Sequence, residues 1–217
     1  MIKELLSETE SILSGLSSCR KLLPDMYTDM RYPQFLPVMT FHVDRYDVAG
    51  FGHIMIMHTL TKMGMELLTM SFMPSEAVLL PYLLIDAMNM KKKRCVFAEY
   101  YGCGYNRLYD RPLEEVYEKY RHLPDYTEKD HWYIKERLPY SLIKSGPEDD
   151  LLQMAAGSVS SYMASVGDAG YDKDYLPMLK SFRERMITKG NPASRTLKMM
   201  LKEDGARDFI EKAVMPL

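Results

Sequence analysis

The chain has 217 residues, 47% apolar and 27% charged, with a formal net charge of −2. That is enough apolar material for one globular domain or at most two small ones, and twelve glycines and twelve prolines beside balanced charge exclude collagen-like and disordered classes. Near-neutral charge gives no reason to expect a nucleic-acid partner, and no run approaches the roughly 18 uncharged apolar residues of a membrane-crossing helix.

The chain reads as one unit over 1–217, beginning with an amphipathic helix within residues 1–22. Leu5, Ile12, Leu16 and Cys19 share a face there, while Glu8, Glu10 and Lys21 point away. Pro24 and Pro33 predict an irregular connection. From Val38 the period becomes two: Met39, Phe41 and Val43 alternate with Thr40, His42 and Asp44, as in a half-buried strand. His53–His58, Met65–Met73, Leu80–Met88 and Arg94–Tyr101 read as four more strands. The links are short, Thr61-Lys62-Met63-Gly64 being a hairpin rather than a crossover, so residues 38–101 predict an antiparallel meander.

Residues 110–217 turn mainly helical. Leu113, Val116, Tyr117 and Tyr120 mark a short helix after Pro112, and Tyr140–Ile143 is a candidate sixth strand. Leu151, Leu152, Ala155, Val159, Tyr162 and Met163 form one stripe; Tyr175, Leu179, Phe182 and Met186 form another. Asn191-Pro192 has the form of an N-cap with proline at the first helical position. Leu197, Met200 and Leu201 lie on the helix it opens, and Phe209, Ile210, Ala213 and Val214 on a last one. The order predicts an α+β fold, a central antiparallel sheet with helices over its faces.

Asp86 stands out, in the middle of the most apolar strand, Leu83-Leu84-Ile85-Asp86-Ala87-Met88. Alternation puts it on one face with Tyr82, Leu84 and Met88, where burial would raise its pKa into the range of a general acid. The plain alternative is a buried aspartate satisfied by backbone donors or an arginine. His53 and His58 fall on opposite strand faces and make no metal pair, and His42 is either a relay or surface. Lys91, Lys92, Lys93 and Arg94 form a basic hairpin tip, either a solvated turn or a docking patch for an acidic partner. Gly102-Cys103-Gly104 matches neither a dinucleotide fingerprint nor a nucleophile elbow. Met1–Leu6, carrying Lys3 and Glu4, lacks a signal-peptide core, and Cys19, Cys95 and Cys103 form no C-x-x-C pair, so a reduced, cytoplasmic protein without metal is expected.

Two stretches resemble the ferredoxin-dependent bilin reductases, the superfamily that includes red chlorophyll catabolite reductase. Met70-Ser71-Phe72-Met73-Pro74 through Leu80-Pro81-Tyr82-Leu83-Leu84-Ile85-Asp86 is similar to that family's strand ending in Phe-Pro, its Leu-Pro loop and the strand bearing its proton-donating aspartate. Tyr175–Met215 resembles its closing helices through Asn191-Pro192, Arg195, Leu197, a shifted Gly205, Phe209-Ile210 and Val214-Met215. The resemblance implies an α/β/α sandwich holding a linear tetrapyrrole such as biliverdin between the sheet and the C-terminal helices. It also implies reduction by single electrons from reduced ferredoxin or flavodoxin, with no tightly bound cofactor and with protons from the protein.

On that likeness Asp86 is the proton donor, and Met57, Thr69, Leu84, Met88 and Asn191 line the tetrapyrrole. Arg195, Lys198 and Lys189 are propionate partners, and Lys91–Arg94 are candidates for ferredoxin docking. The sequence departs from the family where Thr69 stands for a histidine of some members and Met57 for a glutamate. A further acidic position falls at Gly190 or Asn191. The implied alternatives are another regiospecificity, another tetrapyrrole, or a non-catalytic tetrapyrrole or haem binder; a Met-rich protein-interaction module is the rival from another class. Nineteen methionines, among them Met55, Met57, Met65, Met70, Met73, Met88 and Met90 on the strands and Met178, Met186, Met199 and Met200 on the helices, are either compositional drift or the lining for a flat apolar ligand.

Overall fold

The computed structural model describes residues 1–90, 93–191 and 193–217. Helix α1 (Ile2–Ser14) leads into strands β1 (Cys19–Lys21), β2 (Asp29–Tyr32), β3 (Met39–Val48), β4 (Gly52–Thr61), β5 (Glu66–Met73), β6 (Tyr82–Met90) and β7 (Lys93–Tyr101). Helix α2 (Arg111–Tyr120) follows, then a 3-10 turn (Trp132–Glu136), β8 (Leu142–Ser145) and α3 (Glu148–Ala164). Helices α4 (Tyr175–Thr188) and α5 (Ser194–Phe209) close the chain, α5 running on into a wider turn over Ile210–Val214.

The sheet is antiparallel throughout the described residues, in the order β1-β3-β4-β5-β6-β7-β8, with β2 also paired to β3. The meander of β3–β7 is the one that alternation and short links predict. Its two faces are both apolar and both covered, which makes an α/β/α sandwich. Leu68, Met70, Phe72, Leu83, Ile85 and Ala98 pack under α1, α2 and α3. Met55, Met57, Met73, Tyr82, Leu84 and Tyr101 pack under α4 and α5. The helices meet the sheet through stripes at three- and four-residue spacing: Leu151, Ala155, Val159 and Tyr162 on α3, and Tyr175, Leu179, Phe182 and Met186 on α4, all buried.

Several expectations shift. The first helix stops at Ser14, not 22, because Cys19–Lys21 pairs with Tyr46–Val48, a partnership more than twenty residues away that local periodicity cannot show. The supposedly irregular stretch around Pro24 and Pro33 contains β2, which adds to the same strand. Asn191 is not the cap of α5. Its Oδ1 accepts the Ala193 N–H at 2.9 Å and its own N–H donates to Ser194 Oγ at 2.6 Å, an Asx-turn ahead of a helix whose cap position is Ala193. Pro192 lies outside the described residues, as do Lys91 and Lys92. Two closing helices are present as expected, but joined: Lys202 breaks the helix with φ 62° and ψ −177°.

Gly52 sets the β3–β4 turn. With φ +135°, a Cβ there would lie 2.4 Å from the Met73 carbonyl oxygen and 2.5 Å from the Ser75 nitrogen, both backbone atoms that cannot swing aside. Gly52→Ala should therefore cost more than about 2 kcal/mol in urea denaturation, and a variant within about 0.5 kcal/mol of the parent would refute this packing.

Candidate functional site

Strand β6 is held at its start from both helical layers. Tyr162 on α3 donates its hydroxyl to the Pro81 carbonyl at 2.6 Å, and Tyr175 on α4 donates to the Leu80 carbonyl at 2.9 Å. Both rings are fully buried, so the peptide before β6 is fixed on each side. Five residues beyond Pro81, period two carries Asp86 to the α4–α5 side of the sheet.

Register then assembles a row across the strands on that face: Val43, Met57, Thr69, Asp86, Phe97 and Ile143 are successive partners on β3, β4, β5, β6, β7 and β8. Met57 and Thr69, read from sequence as standing at the relay positions, are thus in line with Asp86, and Leu84 and Met88 flank it on the same strand face. Thr69 Oγ1 donates to Asp86 Oδ1 at 2.5 Å. Burial pushes the Asp86 carboxyl up to about 6, against the downward pull of the threonine bond. The group is nevertheless not sealed. Met57, Thr69 and Leu84 are buried, whereas Asp86 itself, Phe97, Met88 and Leu67 are half-buried. Asp86 thus sits in a partly exposed patch of this face with Leu67, Met88 and Phe97.

Two polar atoms without partners flank this row. Thr59 Oγ1 on β4 and Glu99 Oε2 on β7 are buried and make no hydrogen bond. Thr59 stands opposite Leu67 and Glu99 opposite Leu84, one row to either side of Asp86 on the same face. Unpaired buried polar atoms are costly and concentrate at functional sites. Glu99 is fully buried; its Oε1 takes the Tyr101 hydroxyl and the Arg137 Nε, each at 2.6 Å, and Arg137 also holds Glu128 through both terminal nitrogens. Desolvation raises Glu99 to about 7, with Arg137 and Tyr101 opposing it. Sequence reading missed Glu99 although its signal is that of Asp86, a carboxylate inside an apolar strand, Cys95-Val96-Phe97-Ala98-Glu99-Tyr100-Tyr101.

The remaining candidates are more dispersed. Arg195 is exposed on α5, and the Lys198 ammonium lies 2.6 Å from Glu203. Lys198 lines a cavity of about 260 Å³ between α4 and α5, with Leu197, Arg207 and Ile210; Asp86 does not line it. Lys189 sits over the Trp132 ring, whose Nε1 donates to the Gly190 carbonyl at 2.8 Å and ties the α4–α5 turn to the 3-10 turn. Lys93 lies over Tyr126, 3.9 Å from its centroid, and Arg94 pairs with Glu148 at 3.0 Å. His53 and His58 are held by Asp47 and Glu66, and His42 is an exposed partner of Asp29. The described residues contain no cluster of three metal-ligating side chains. Met55, Met57 and Met73 do line the α4–α5 face, but Met70 faces α1, where it accepts from Thr9 at 3.5 Å, and Met178 and Met199 are exposed. The methionine lining is therefore narrower than their sequence positions suggest.

No protein-family profile matches the chain, and no curated protein matches it in sequence. Among solved structures it is similar to phytochromobilin synthase from tomato, determined in complex with biliverdin. The TM-score is 0.76, with 12% identity, and the match covers 99% of this chain and 82% of that one. The shared fold is an α+β sandwich with its antiparallel sheet between helical layers. No helix among the described residues is long and apolar enough to cross a membrane.

Proposed function

We propose that the chain is a divergent ferredoxin-dependent bilin reductase, which binds a linear tetrapyrrole such as biliverdin against the Asp86 face and reduces it with single electrons from a ferredoxin- or flavodoxin-type donor. The observation that carries this reading is Asp86. It is an acid poised near 6, half-buried among apolar neighbours, on a fold shared with a protein solved in complex with biliverdin. A flat conjugated ligand would lie along the row from Met57 to Phe97, and its pyrrole N–H and lactam groups would find the unpaired Thr59 atom beside it.

In this scheme the donor supplies the electrons and the protein handles protons and position. Asp86 protonates the pigment, which becomes more basic on gaining an electron. Thr69 holds the carboxyl group in place and stabilises the anion left after transfer. Met57, Met55 and Leu84 exclude water from the reacting face and pack the ring plane. Lys198, Arg195 and Lys189, on or beside the α4–α5 turn, are the cations within the proposed reach of the propionates, Lys198 by exchanging Glu203 for a ligand carboxylate. We assign donor docking to the β6–β7 hairpin, where Lys93 and Arg94 are exposed.

Titration with biliverdin tests the reading. A red-shifted absorbance change saturating at one equivalent is expected, and no spectral change at micromolar protein would remove both the reductase and the tetrapyrrole-binder readings. Reduced ferredoxin added to the complex should then bleach the pigment; a stable complex that never turns over would leave a binder on this fold.

A further inference from the structure

We propose that Glu99 is the proton reserve behind Asp86, reloading that carboxyl between the two protonations of a single tetrapyrrole reduction. The inference rests on the reductase reading and adds a residue that the family resemblance does not supply.

Glu99 is asymmetric in its bonding. All its donors, the Tyr101 hydroxyl and the Arg137 guanidinium, converge on Oε1, while Oε2 is buried and bonded to nothing. When such a carboxyl is neutral its proton belongs on Oε2, the oxygen that no donor occupies, and that proton is free to leave. Charge counting points the same way. One guanidinium faces two carboxylates, and Glu128 already takes two of its N–H groups at 2.6 and 2.8 Å. With both acids ionised the triad carries one net negative charge, and Glu99, fully buried where Glu128 is partly exposed, is the acid to hold a proton.

Position makes the proton useful. Asp86 pairs with Phe97 and Leu84 with Glu99, so the two acids are diagonal neighbours on one sheet face, with Cα atoms on the order of 7–8 Å apart. A single water can bridge carboxyl groups on side chains at that Cα spacing. The other groups facing Glu99 are accounted for: Tyr82 stacks on Tyr101, and Tyr133 lies beneath Arg137, both uncharged phenols. Glu128 stays with the guanidinium, leaving Asp86 as the acceptor to which Glu99 can pass a proton.

The balance calls for two protons per reduction, and the reserve would supply the second without waiting for solvent. Reducing one C=C bond to CH–CH consumes two electrons and two protons. Each electron comes from a reduced one-electron carrier, an iron–sulfur or flavin protein, which is oxidised. The first proton leaves the Asp86 O–H bond as an N–H or C–H bond forms on the pigment. Asp86 then takes the Glu99 Oε2 proton, and the Glu99 anion is met by Arg137. With the second electron Asp86 delivers its second proton, and two solvent protons, entering through half-exposed Asp86, then restore both acids. Met57 and Thr69, one aprotic and the other a weak acid, cannot fill this role.

Two measurements test the proposal. The first needs no ligand: infrared spectra of the Asp86→Asn protein at pH 6 should retain one protonated-carboxyl band, absent at pH 9 and absent from Glu99→Gln/Asp86→Asn. No such band at pH 6 in Asp86→Asn would mean that Glu99 is an ordinary ion-pair member and would overturn the assignment. The second uses Glu99→Gln with biliverdin and reduced ferredoxin. The wild-type binding spectrum, affinity within about threefold, and an unchanged rate of radical formation by electron paramagnetic resonance are expected, with decay of the radical slowed at least about tenfold. Radical decay at the wild-type rate would overturn the relay. A wild-type protein that does not bind biliverdin fails the reductase reading instead, and that outcome is read before any variant is made.

Discussion

Asp86→Asn should lower tetrapyrrole turnover by about 10²–10⁴-fold while leaving pigment binding intact, the range expected when a positioned general acid is removed. Asparagine has the same shape, and its amide oxygen can still accept from Thr69, so the site should keep its form. What disappears is the transferable proton. The diagnostic comparison is single-turnover reduction of the bound pigment against its absorbance titration: loss of both would mean a collapsed site, and loss of neither would remove Asp86 from the chemistry.

The same substitution carries a stability signature of opposite sign. The Asp86 pKa is raised from the ordinary 3.8 to about 6 by burial. Between those values the native state binds more protons than the unfolded chain, so stability falls as pH rises from about 4 to about 6 and stays lower above. The full shift would correspond to about 3 kcal/mol at neutral pH; since Asp86 keeps some contact with solvent, about 1–2 kcal/mol is the reasonable size. Asp86→Asn should therefore be more stable than the parent by that amount at pH 8 and equal to it near pH 4, read by urea denaturation at each pH. An enzyme that gains stability while losing turnover is what a functional, strained acid produces.

The largest destabilisation is expected from Arg137→Met. The change leaves Glu99 without its countercharge in a site of zero exposure, beside a tyrosine hydroxyl that can satisfy only one oxygen. Removing one partner of a buried pair costs about 3–5 kcal/mol. Glu128 can turn outward; Glu99 cannot. The loss should be largest at pH 8 and smaller at pH 6, where Glu99 takes up a proton and no longer needs the guanidinium. A cost below about 1 kcal/mol, equal at both pH values, would show that water reaches Glu99 and relieves it.

Much of this was legible because short-range patterns carried it. Alternation from Met39 to Tyr101 with turns of a few residues defines the meander, and the same period of two puts Asp86 among Tyr82, Leu84 and Met88. The stripes of α3 and α4 follow from three- and four-residue spacing. What escaped depends on partners distant in the chain. Strands β1 and β2 exist by virtue of β3, and nothing within Cys19–Lys21 announces it. Glu99 was passed over although its own strand carries the signal, and its ion pair depends on Arg137, 38 positions away. Asn191 reads as a cap two residues too early, because the Asx bond to Ala193 and a cap use the same residue type. The methionines were counted correctly but not sorted, since alternation about Met70 sends it to the opposite face from Met55, Met57 and Met73.

The paired tyrosine clamps on Leu80 and Pro81 give the two halves of the sandwich different histories during synthesis. Once the chain through Ala164 is free of the ribosome, every strand, α1–α3 and the Tyr162 clamp are available, and one side of the sheet can close. The Asp86 side then waits for the last two helices, and only the Tyr175 hydroxyl completes the grip on the peptide that aims β6. A chain ending before α4 would thus be a half-finished particle with a solid back and a bare, methionine-bearing front. That makes the C-terminal helices the last cover this face of the sheet receives.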